Sequence, residues 1–194
     1  MEEESMGAFL EGFLPRFFPA ITYELHPLGG KGNMLQKIPG RLKGYASWLP
    51  ENWCIVILID QNSQDCHRLK AQLEEFAQTA GLPTVTHPRG EAARVINRIV
   101  MHSLEAWYFG DWDAVCQAYP RAPRDIPRRA RYRNPDAIPN PAQNFEHVMQ
   151  QVGYFKTGLR KIEAAREIGR YLEADRNTSH SFQVFYRALK TILG

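Results

Sequence analysis

An uninterrupted apolar run at residues 54–59, followed directly by the carboxylate of Asp60, constrains the fold more than any other segment. Four of its six apolar residues are β-branched, a composition that favours a strand. A strand without polar positions is typical of a parallel sheet that helices cover on both faces. Ligands of such sheets gather beyond the carboxyl ends of the strands. The run therefore predicts an α/β fold and places Asp60 where a binding site would form.

The order of the other predicted elements extends this α/β prediction. A second strand is predicted at residues 94–101, and a third, from its alternating pattern, at residues 21–25. Apolar stripes and caps predict helices at 4–18, at 34–48 with a break near Pro39, between a Ser63 cap and Gly81, and at 145–152, 160–172 and 182–193. We therefore predict an α/β core at residues 1–119. An arginine- and proline-rich connection with a helical C-terminal addition, at residues 120–194, is expected to pack on that core.

Charge is unevenly distributed along the chain. Residues 121–194 hold 14 basic and 7 acidic residues, a net charge of +7, whereas residues 1–120 hold 10 and 14, a net charge of −4. This asymmetry suits a metal site in one half and a polyanion-binding surface in the other, or simply two solvated faces.

The sequence has no apolar run of the ~18 residues that a membrane span needs, no signal peptide and no metal spacing among its cysteines, which predicts a cytoplasmic protein that does not enter a membrane.

Two carboxylates stand just past predicted strands, and they are the first candidates for chemistry. Asp60 ends one strand, and Glu105 follows the strand at residues 94–101. If the two strands are parallel in one sheet, both side chains reach the same edge, where they repel each other unless a cation lies between them. Oxygen ligands favour Mg²⁺ or Mn²⁺, and Asn62 adds a carbonyl oxygen. The alternative is that Glu105 begins a helix and Asp60 opens a turn.

Several segments carry a resemblance to a known family. They are the acidic start at residues 2–6, GKGNMLQKIPGRLKGY at 30–45, LIDQNSQDC at 58–66, SLEAWYFGD at 103–111, ARYRNPDAI at 130–138 and LRKIEAAREI at 159–168. Together they resemble an uncharacterised bacterial family, domain-of-unknown-function family 4276, of the Toprim-like superfamily. The resemblance implies a four-stranded parallel sheet between helices and the Mg²⁺ chemistry of primases, topoisomerases and overcoming-lysogenization-defect nucleases.

The resemblance also implies a metal site built from acids in three motifs. Asp60 matches the first Asp of an Asp-x-Asp motif, and Glu105 matches the acid of a Leu-Glu-Ala-Trp segment. Ser5 matches a Thr of the first motif, which implies Glu2 as the third ligand, with Glu3 as the second choice. The alternative for these N-terminal acids is a solvated cluster that favours the dipole of the following helix.

Two departures from the family pattern bear on this site. Asn62 stands where the family has the second Asp of its motif, which removes one negative charge while keeping an oxygen ligand. The family's first strand has no counterpart, because Met1 stands at the position of its last residue. We therefore expect a sheet that is one strand short, and an activity that depends on restoring that strand.

Basic residues are the candidates for holding a phosphate. The resemblance is specific at residues 160–165, where Lys161 is the candidate catalytic cation and Arg160 a phosphate ligand, the alternative being an exposed helix surface. Lys31 lies in a glycine-rich turn that departs from the Walker pattern, so it is either a phosphate ligand or an ordinary turn residue. Arginines of the connection either follow a nucleic-acid backbone or fold over acids of the same domain, and the candidates are Arg128, Arg129 and Arg131.

These observations lead to two hypotheses of different classes. The first is a Toprim-like, Mg²⁺- or Mn²⁺-dependent phosphodiesterase, specifically a nuclease acting on nucleic acid, with a role in phage defence beside a separate ATPase subunit. The second is a non-catalytic Toprim-like interaction module of an ATPase complex, since the chain has no ATP motif of its own. A homodimer is the remaining partner hypothesis.

Overall fold

Two parallel strands form the centre of the fold in the computed structural model, which describes residues 1–62, 64–88, 90 and 92–193. Strand β1 spans Ile55–Asp60 and strand β2 spans Val95–Val100. They pair in register from Ile55 opposite Val95 to Asp60 opposite Val100. The prediction of an α/β fold with a small parallel sheet flanked by helices is confirmed, and in the described part of the chain this sheet has two strands.

Eight α-helices and three short 3₁₀ helices accompany the sheet in the described residues. The α-helices are α1 (Glu4–Phe17), α2 (Lys31–Ala46), α3 (Cys66–Thr79), α4 (Glu105–Gly110), α5 (Trp112–Ala118), α6 (Pro141–Gln151), α7 (Lys161–Gly169) and α8 (His180–Leu193). The 3₁₀ helices are Ile126–Arg128, Ala130–Tyr132 and Pro135–Ala137. None of these helices is long and apolar enough to cross a membrane.

The sheet separates two apolar cores, as the apolar sequence of β1 predicts. Leu58 faces a large core built with α1 and α4–α8, and it is 2% exposed. Ile57 and Ile59 face a smaller core built with α2 and α3, and they are 5% and 1% exposed. Because successive residues of a strand point to opposite faces, this burial on both sides requires the near-continuous apolar run of the sequence.

Two predictions about local structure are wrong. Residues 21–25 form no strand, although residues 21, 23 and 25 are partly buried and residues 22 and 24 exposed as the pattern predicts. The alternation reports which side chains are buried, but a strand also needs a hydrogen-bonded neighbour, and these residues have none in the described structure. Helix α2 is not broken at Pro39: it continues through this proline, and Ile38 and Leu42 on either side of it belong to the buried stripe.

Ser63, predicted as a helix cap, lies outside the described residues. Helix α3 is capped by Asp65, whose Oδ1 accepts a hydrogen bond from the Arg68 N–H at 2.9 Å. An Asp at this position satisfies one of the free N–H groups of the first turn. The cap fixes the start of α3 at Cys66, six residues after the end of β1.

Helix α7 is held directly against α1, which brings its first residue to the carboxyl end of β1. A β-carbon at Gly169 would lie 2.5 Å from the Phe9 carbonyl oxygen, and one at Gly12 would lie 3.0 Å from the Gly169 carbonyl carbon. The absence of side chains at both positions therefore permits the two backbones to touch. Arg16 Nη1 adds a 2.8 Å hydrogen bond to the Leu172 carbonyl.

Candidate functional site

Asp60 ends β1 inside a group of charged side chains. Burial of its carboxyl group raises the Asp60 pKa well above its usual range, and the carboxylates of Glu2, Glu105 and Glu3 raise it further. Lys161 acts in the opposite direction. Burial and neighbouring like charges both disfavour the ionised form of an acid. The carboxyl end of β1 is therefore a place where negative charge accumulates without enough compensation from the protein.

Glu2 is held beside Asp60 by the loop that precedes α2. Its main chain is fixed because the Glu2 carbonyl accepts a hydrogen bond from the Gly30 N–H at 3.0 Å. Its side-chain Oε2 accepts a hydrogen bond from the Asp60 N–H at 3.2 Å. Glu2 is 6% exposed, and burial raises its pKa although Lys31 opposes that change. The structure thus places Glu2 at the site, buried and ordered by two backbone contacts.

Glu105 reaches the same end of the sheet from the segment after β2. It is the first residue of α4 and is 3% exposed. Ser103 Oγ donates a 2.6 Å hydrogen bond to Glu105 Oε2, which orients the carboxylate. The parallel pairing of β1 and β2 directs Asp60 and Glu105 to the same end of the sheet, and the charge of Glu105 raises the Asp60 pKa.

Two lysines border the acids. Lys161, the first residue of α7, lies 3.2 Å from Glu3 Oε2 through its Nζ atom. Burial lowers the Lys161 pKa, but Glu105, Glu3 and Asp60 outweigh burial, so the pKa is raised. Lys31 Nζ donates a 2.9 Å hydrogen bond to the Gln61 carbonyl, directly after β1. Both ammonium groups therefore bring positive charge to the border of the acidic group.

The loops that leave the two strands have unusual backbone conformations at facing positions. Asn62 has φ 52° and His102 has φ 57°, both in the left-handed region that residues other than glycine seldom adopt. The Asn62 N–H donates a 2.9 Å hydrogen bond to the His102 carbonyl. Asn and His adopt this region more often than other residues with side chains, and it is typical of tight turns. These two residues fix the directions in which the chain leaves Asp60 and approaches Glu105.

The residues at this end of the sheet have the oxygen ligands that suit a Mg²⁺ or Mn²⁺ ion, but their positions restrict how many of them could bind one ion. Carboxylate oxygens are the ligands that these hard cations prefer. In the part of the chain that the structure describes, no three or more His, Cys, Asp or Glu side chains are grouped so that they could hold a metal ion. One or two carboxylates remain compatible with Mg²⁺, which usually keeps several waters and often completes its shell with substrate phosphate oxygens.

The remaining predicted site residues lie away from this cluster or make no described contact with it. The Asn62 side chain is exposed, although its backbone is part of the site. Arg160 pairs with Glu163 at 3.2 Å on the exposed surface of α7. The arginines of the connection are exposed: Arg128 and Arg131 belong to 3₁₀ helices, and Arg129 pairs with Asp125 at 3.0 Å. Their role in binding nucleic acid stays a prediction.

Tyr108 and Ser103 belong to the site and were not predicted from the sequence. Tyr108 is 1% exposed, and burial followed by the charge of Glu105 raises its pKa well above the usual range. Tyr108 follows Glu105 by three residues, a spacing that places two side chains on one face of a helix. That spacing was the available signal for Tyr108, whereas Ser103 could be noticed only by its place two residues before Glu105.

Comparisons with known proteins address the family of this chain. No curated protein and no solved structure matches it. A family described as "Domain of unknown function (DUF4276)" matches residues 1–190. This match spans the segments that carry the resemblance found in the sequence, including those that supply Glu2, Asp60, Glu105 and Lys161. Because it covers nearly the whole chain, the protein belongs to the DUF4276 family.

Proposed function

We propose that this protein is a Toprim-like phosphodiesterase that depends on Mg²⁺ or Mn²⁺ and cleaves nucleic acid. The observation that carries the proposal is the Asp60 carboxyl group, which lies partly buried at the carboxyl end of a parallel strand among the acids Glu2, Glu3 and Glu105. Acids in such a group repel one another, and a divalent cation is the partner that relieves this repulsion. A phosphate ester is the substrate class that suits a cation held by so few protein ligands.

Asp60 and Glu105 are the residues that would hold the metal, with Glu2 beside them. When bound, the metal ion supplies a water of lowered pKa and neutralises charge that develops on the phosphate. Ser103 keeps Glu105 oriented through its 2.6 Å hydrogen bond. A short hydrogen bond of this kind fixes a ligand before the metal arrives and reduces the reorganisation that binding requires.

Lys161 and Lys31 would hold the phosphate. The raised pKa of Lys161 keeps its ammonium group protonated at neutral pH, so this residue donates hydrogen bonds and cannot accept a proton as a general base. Lys31 Nζ stands at the Gln61 carbonyl, next to the end of β1. The excess of basic residues in 121–194, including the exposed arginines of the connection, supplies a surface that would attract the rest of a nucleic acid.

The test compares the metal response of Asp60→Asn with that of Asp125→Asn. Asp125 is an exposed acid paired with Arg129, so the second variant makes the same chemical change away from the site. Mg²⁺ or Mn²⁺ should raise the melting temperature of the wild type and of Asp125→Asn, because a ligand of the folded state alone stabilises it. We expect Asp60→Asn to lose both this response and the cleavage of single-stranded or duplex DNA and RNA.

A second candidate function is a non-catalytic interaction module that works with a separate ATPase subunit, as in phage-defence complexes of Toprim-like proteins. Two observations favour it: the Asn at position 62, and the lack of a group of three metal-binding side chains in the described residues. A wild-type protein that gains stability with Mg²⁺ and still cleaves no nucleic acid would support this second function. If neither Mg²⁺ nor Mn²⁺ changes the melting temperature of the wild type, neither of the two proposed functions involves a bound metal ion.

A further inference from the structure

A pocket of about 300 Å³ lies between β2, α8 and the segment that precedes β2. Its α8 residues are spaced by three and four positions and so form one stripe along the helix. The described residues that line it are Arg98 of β2, Val85 of the preceding segment, and Val184, Arg187, Ala188 and Thr191 of α8. Two arginines among short apolar side chains are the composition of a site for an anion that carries an organic group.

Arg98 occupies a position of β2 that faces the larger apolar core. Successive residues of a strand point to opposite faces, so Arg98 shares a face with Ile96 and Val100. Both of these neighbours are 0% exposed and belong to that core. A guanidinium group beside such residues is costly to bury unless a negative charge accompanies it. The strand therefore carries a positive charge at a position where the alternation of β2 calls for an apolar side chain.

Contacts within the protein satisfy the Arg98 guanidinium group only in part. Its Nη1 donates a 2.8 Å hydrogen bond to the carbonyl of the preceding Asn97. Its Nε is buried and has no hydrogen-bond partner within the described residues. A buried donor without a partner costs free energy, and the cost is larger for a charged group. A ligand in the pocket that accepts a hydrogen bond from Nε would remove this cost.

The acid nearest in effect to Arg98 is already engaged by another cation. Lys70 Nζ donates to the same Asn97 carbonyl at 2.8 Å, so the two positive groups lie at most 5.6 Å apart. Glu74 is the carboxylate whose charge acts on Arg98. Its oxygens accept hydrogen bonds from Lys70 and from the Thr84 hydroxyl. Glu74 therefore compensates Lys70, and the charge of Arg98 is left over.

Arg187 brings a second positive charge to the pocket from α8. Its side chain is exposed, and its Nε donates a 3.2 Å hydrogen bond to the Gln183 carbonyl of its own helix. No acid among the described residues forms an ion pair with it. Two guanidinium groups that line one pocket repel each other unless an anion lies between them. A phosphate monoester carries a charge of about −1.5 to −2 at neutral pH, and the planar arginine fork matches its oxygens.

The apolar part of the lining indicates that the ligand has an organic group beside its phosphate. Val85 is 42% exposed, which is unusual for a large apolar side chain of this protein. It borders the pocket together with Val184 and Ala188. Covering such surface with another apolar group stabilises a complex, and inorganic phosphate cannot supply this contact.

We propose that this pocket binds a small phosphate monoester, with Arg98 and Arg187 contacting the phosphate oxygens and the valines contacting the organic group. A volume of about 300 Å³ lies at the lower end of the range of small-molecule sites, so the ligand has few atoms beyond its phosphate. None of the residues that line the pocket belongs to the acidic group at the end of β1. The inference is therefore independent of the proposed nuclease activity.

The probe is phenyl phosphate, titrated calorimetrically against the full chain in a chelator that removes divalent cations. The wild type should bind it more tightly than inorganic phosphate, because the ring covers the apolar lining. Benzoate has the same ring and a single negative charge, and it should bind about tenfold more weakly or worse. A short oligonucleotide with hydroxyl ends contains only diesters and should not displace phenyl phosphate. Absence of binding, equal affinity for either other anion, or displacement by the oligonucleotide overturns the proposal.

Nuclear magnetic resonance of the arginine side chains locates the bound probe. The Nε–H resonance of Arg98 should shift on addition of phenyl phosphate, because a phosphate oxygen would accept its hydrogen bond. Arg170, an exposed residue that pairs with Glu167 at 3.1 Å, is the internal control and should not shift. The response of Arg98 should persist in Lys161→Gln, since that lysine borders the acidic group. An Arg98 resonance that does not move overturns the proposal.

Variants of the two arginines complete the test. Arg98→Gln and Arg187→Gln should each weaken phenyl phosphate binding by about tenfold or more, whereas the control Arg170→Gln should not. Arg98→Met removes the buried charge, so without ligand it should melt at or above the wild-type temperature, and phenyl phosphate should not raise that temperature. Unchanged affinity in Arg98→Gln overturns the proposal. A lower melting temperature of ligand-free Arg98→Met also overturns it, by showing that the protein already compensates this charge.

Discussion

Two acidic residues beside the two-stranded sheet, Glu74 and Asp60, differ in how neighbouring groups change their pKa. Burial alone would raise the Glu74 pKa, but hydrogen bonds from Lys70, Thr84 and Asn97 lower it to about 2. Asp60 is surrounded by further acids, and its pKa is raised by burial and by their charges. A carboxylate enclosed by donors is satisfied by the protein itself. A carboxylate enclosed by acids still requires a cation or a proton.

The opposite pKa shifts of Glu74 and Asp60 distinguish a structural hydrogen-bond network from a candidate binding site. Glu74 is 4% exposed and ties α3 to β2 through Asn97 and to the following loop through Thr84. Buried polar networks that are fully hydrogen-bonded make a structure rigid. Asp60 makes no comparable set of side-chain hydrogen bonds in the described residues, so its energetic cost is left for a ligand to offset. The two acids should therefore respond oppositely to mutation and to pH.

The largest effect is expected from Glu74→Gln. The substitution removes a buried charge and leaves the Lys70 ammonium group without its partner, which should lower the free energy of unfolding by about 3 kcal/mol. Urea unfolding followed by circular dichroism measures this loss. Glu75→Gln, at the adjacent exposed position, is the matched control and should stay within about 0.5 kcal/mol. Equal stability of the two variants would mean that Glu74 is not a structural acid.

Acid pH should reproduce much of that loss in the wild type. The folded pKa of Glu74, about 2, lies below its ordinary value of 4.5, so its contribution is complete above about pH 4.5 and disappears as the pH falls towards 2. A shift of this size corresponds to roughly 3 kcal/mol. Urea unfolding between pH 6 and pH 2.5 should therefore show a steeper decline for the wild type than for Glu74→Gln. Parallel curves would contradict the assignment.

Asp60→Asn should have the opposite sign and a smaller size. The raised pKa of Asp60 means that its ionisation opposes folding, so its cost appears as the pH rises above the ordinary value of 3.8. Without metal, the variant should be more stable than the wild type by on the order of 1 kcal/mol at neutral pH and nearly equal to it at pH 3. Denaturant unfolding in a chelator measures both values. A variant less stable than the wild type at neutral pH would show that Asp60, like Glu74, is a structural acid.

The smallest stability effect is expected from Lys161→Gln. The Lys161–Glu3 pair has side chains 44% and 41% exposed, and ion pairs of this exposure contribute about 0–1 kcal/mol. The variant should therefore unfold close to the wild type, while its affinity for phosphate-containing ligands falls. Isothermal titration with a short oligonucleotide separates the two effects. A large loss of stability would assign Lys161 to the fold and not to the site.

The sequence alone predicted the strand that ends at Asp60 and the edge of the sheet at which Asp60 lies. The apolar run before Asp60 predicted a doubly buried strand, and parallel pairing then required Asp60 and Glu105 to meet at one edge. The strand is confirmed because side-chain alternation is a local property, and the shared edge follows from the parallel pairing that the structure shows between β1 and β2. The family match likewise followed from contiguous segments of the sequence.

The Glu74 network could not be predicted, because its members are distant in sequence. Glu74 lies on an amphipathic helix where an acid usually faces solvent, and its partners Thr84 and Asn97 follow 10 and 23 residues later. Asn97, a buried polar residue beside Arg98 in the middle of β2, was the available signal. The prediction of a strand at residues 21–25 was wrong for a related reason, since the pattern showed burial but could not show whether a partner strand lies alongside.

The contact between the backbones of α1 and α7 means that Gly169, at the far end of α7, controls the position of this helix and of Lys161 at its start. Gly169 ends α7, and Lys161 begins it, about 12 Å away at 1.5 Å per residue. A methyl group at Gly169 would collide with the Phe9 carbonyl and push the end of α7 outwards. A helix displaced at one end tilts as a rigid body, so Lys161 at the other end would move relative to Glu3 and Asp60. Geometry at the charged cluster is thus sensitive to a position that carries no charge and never touches a ligand.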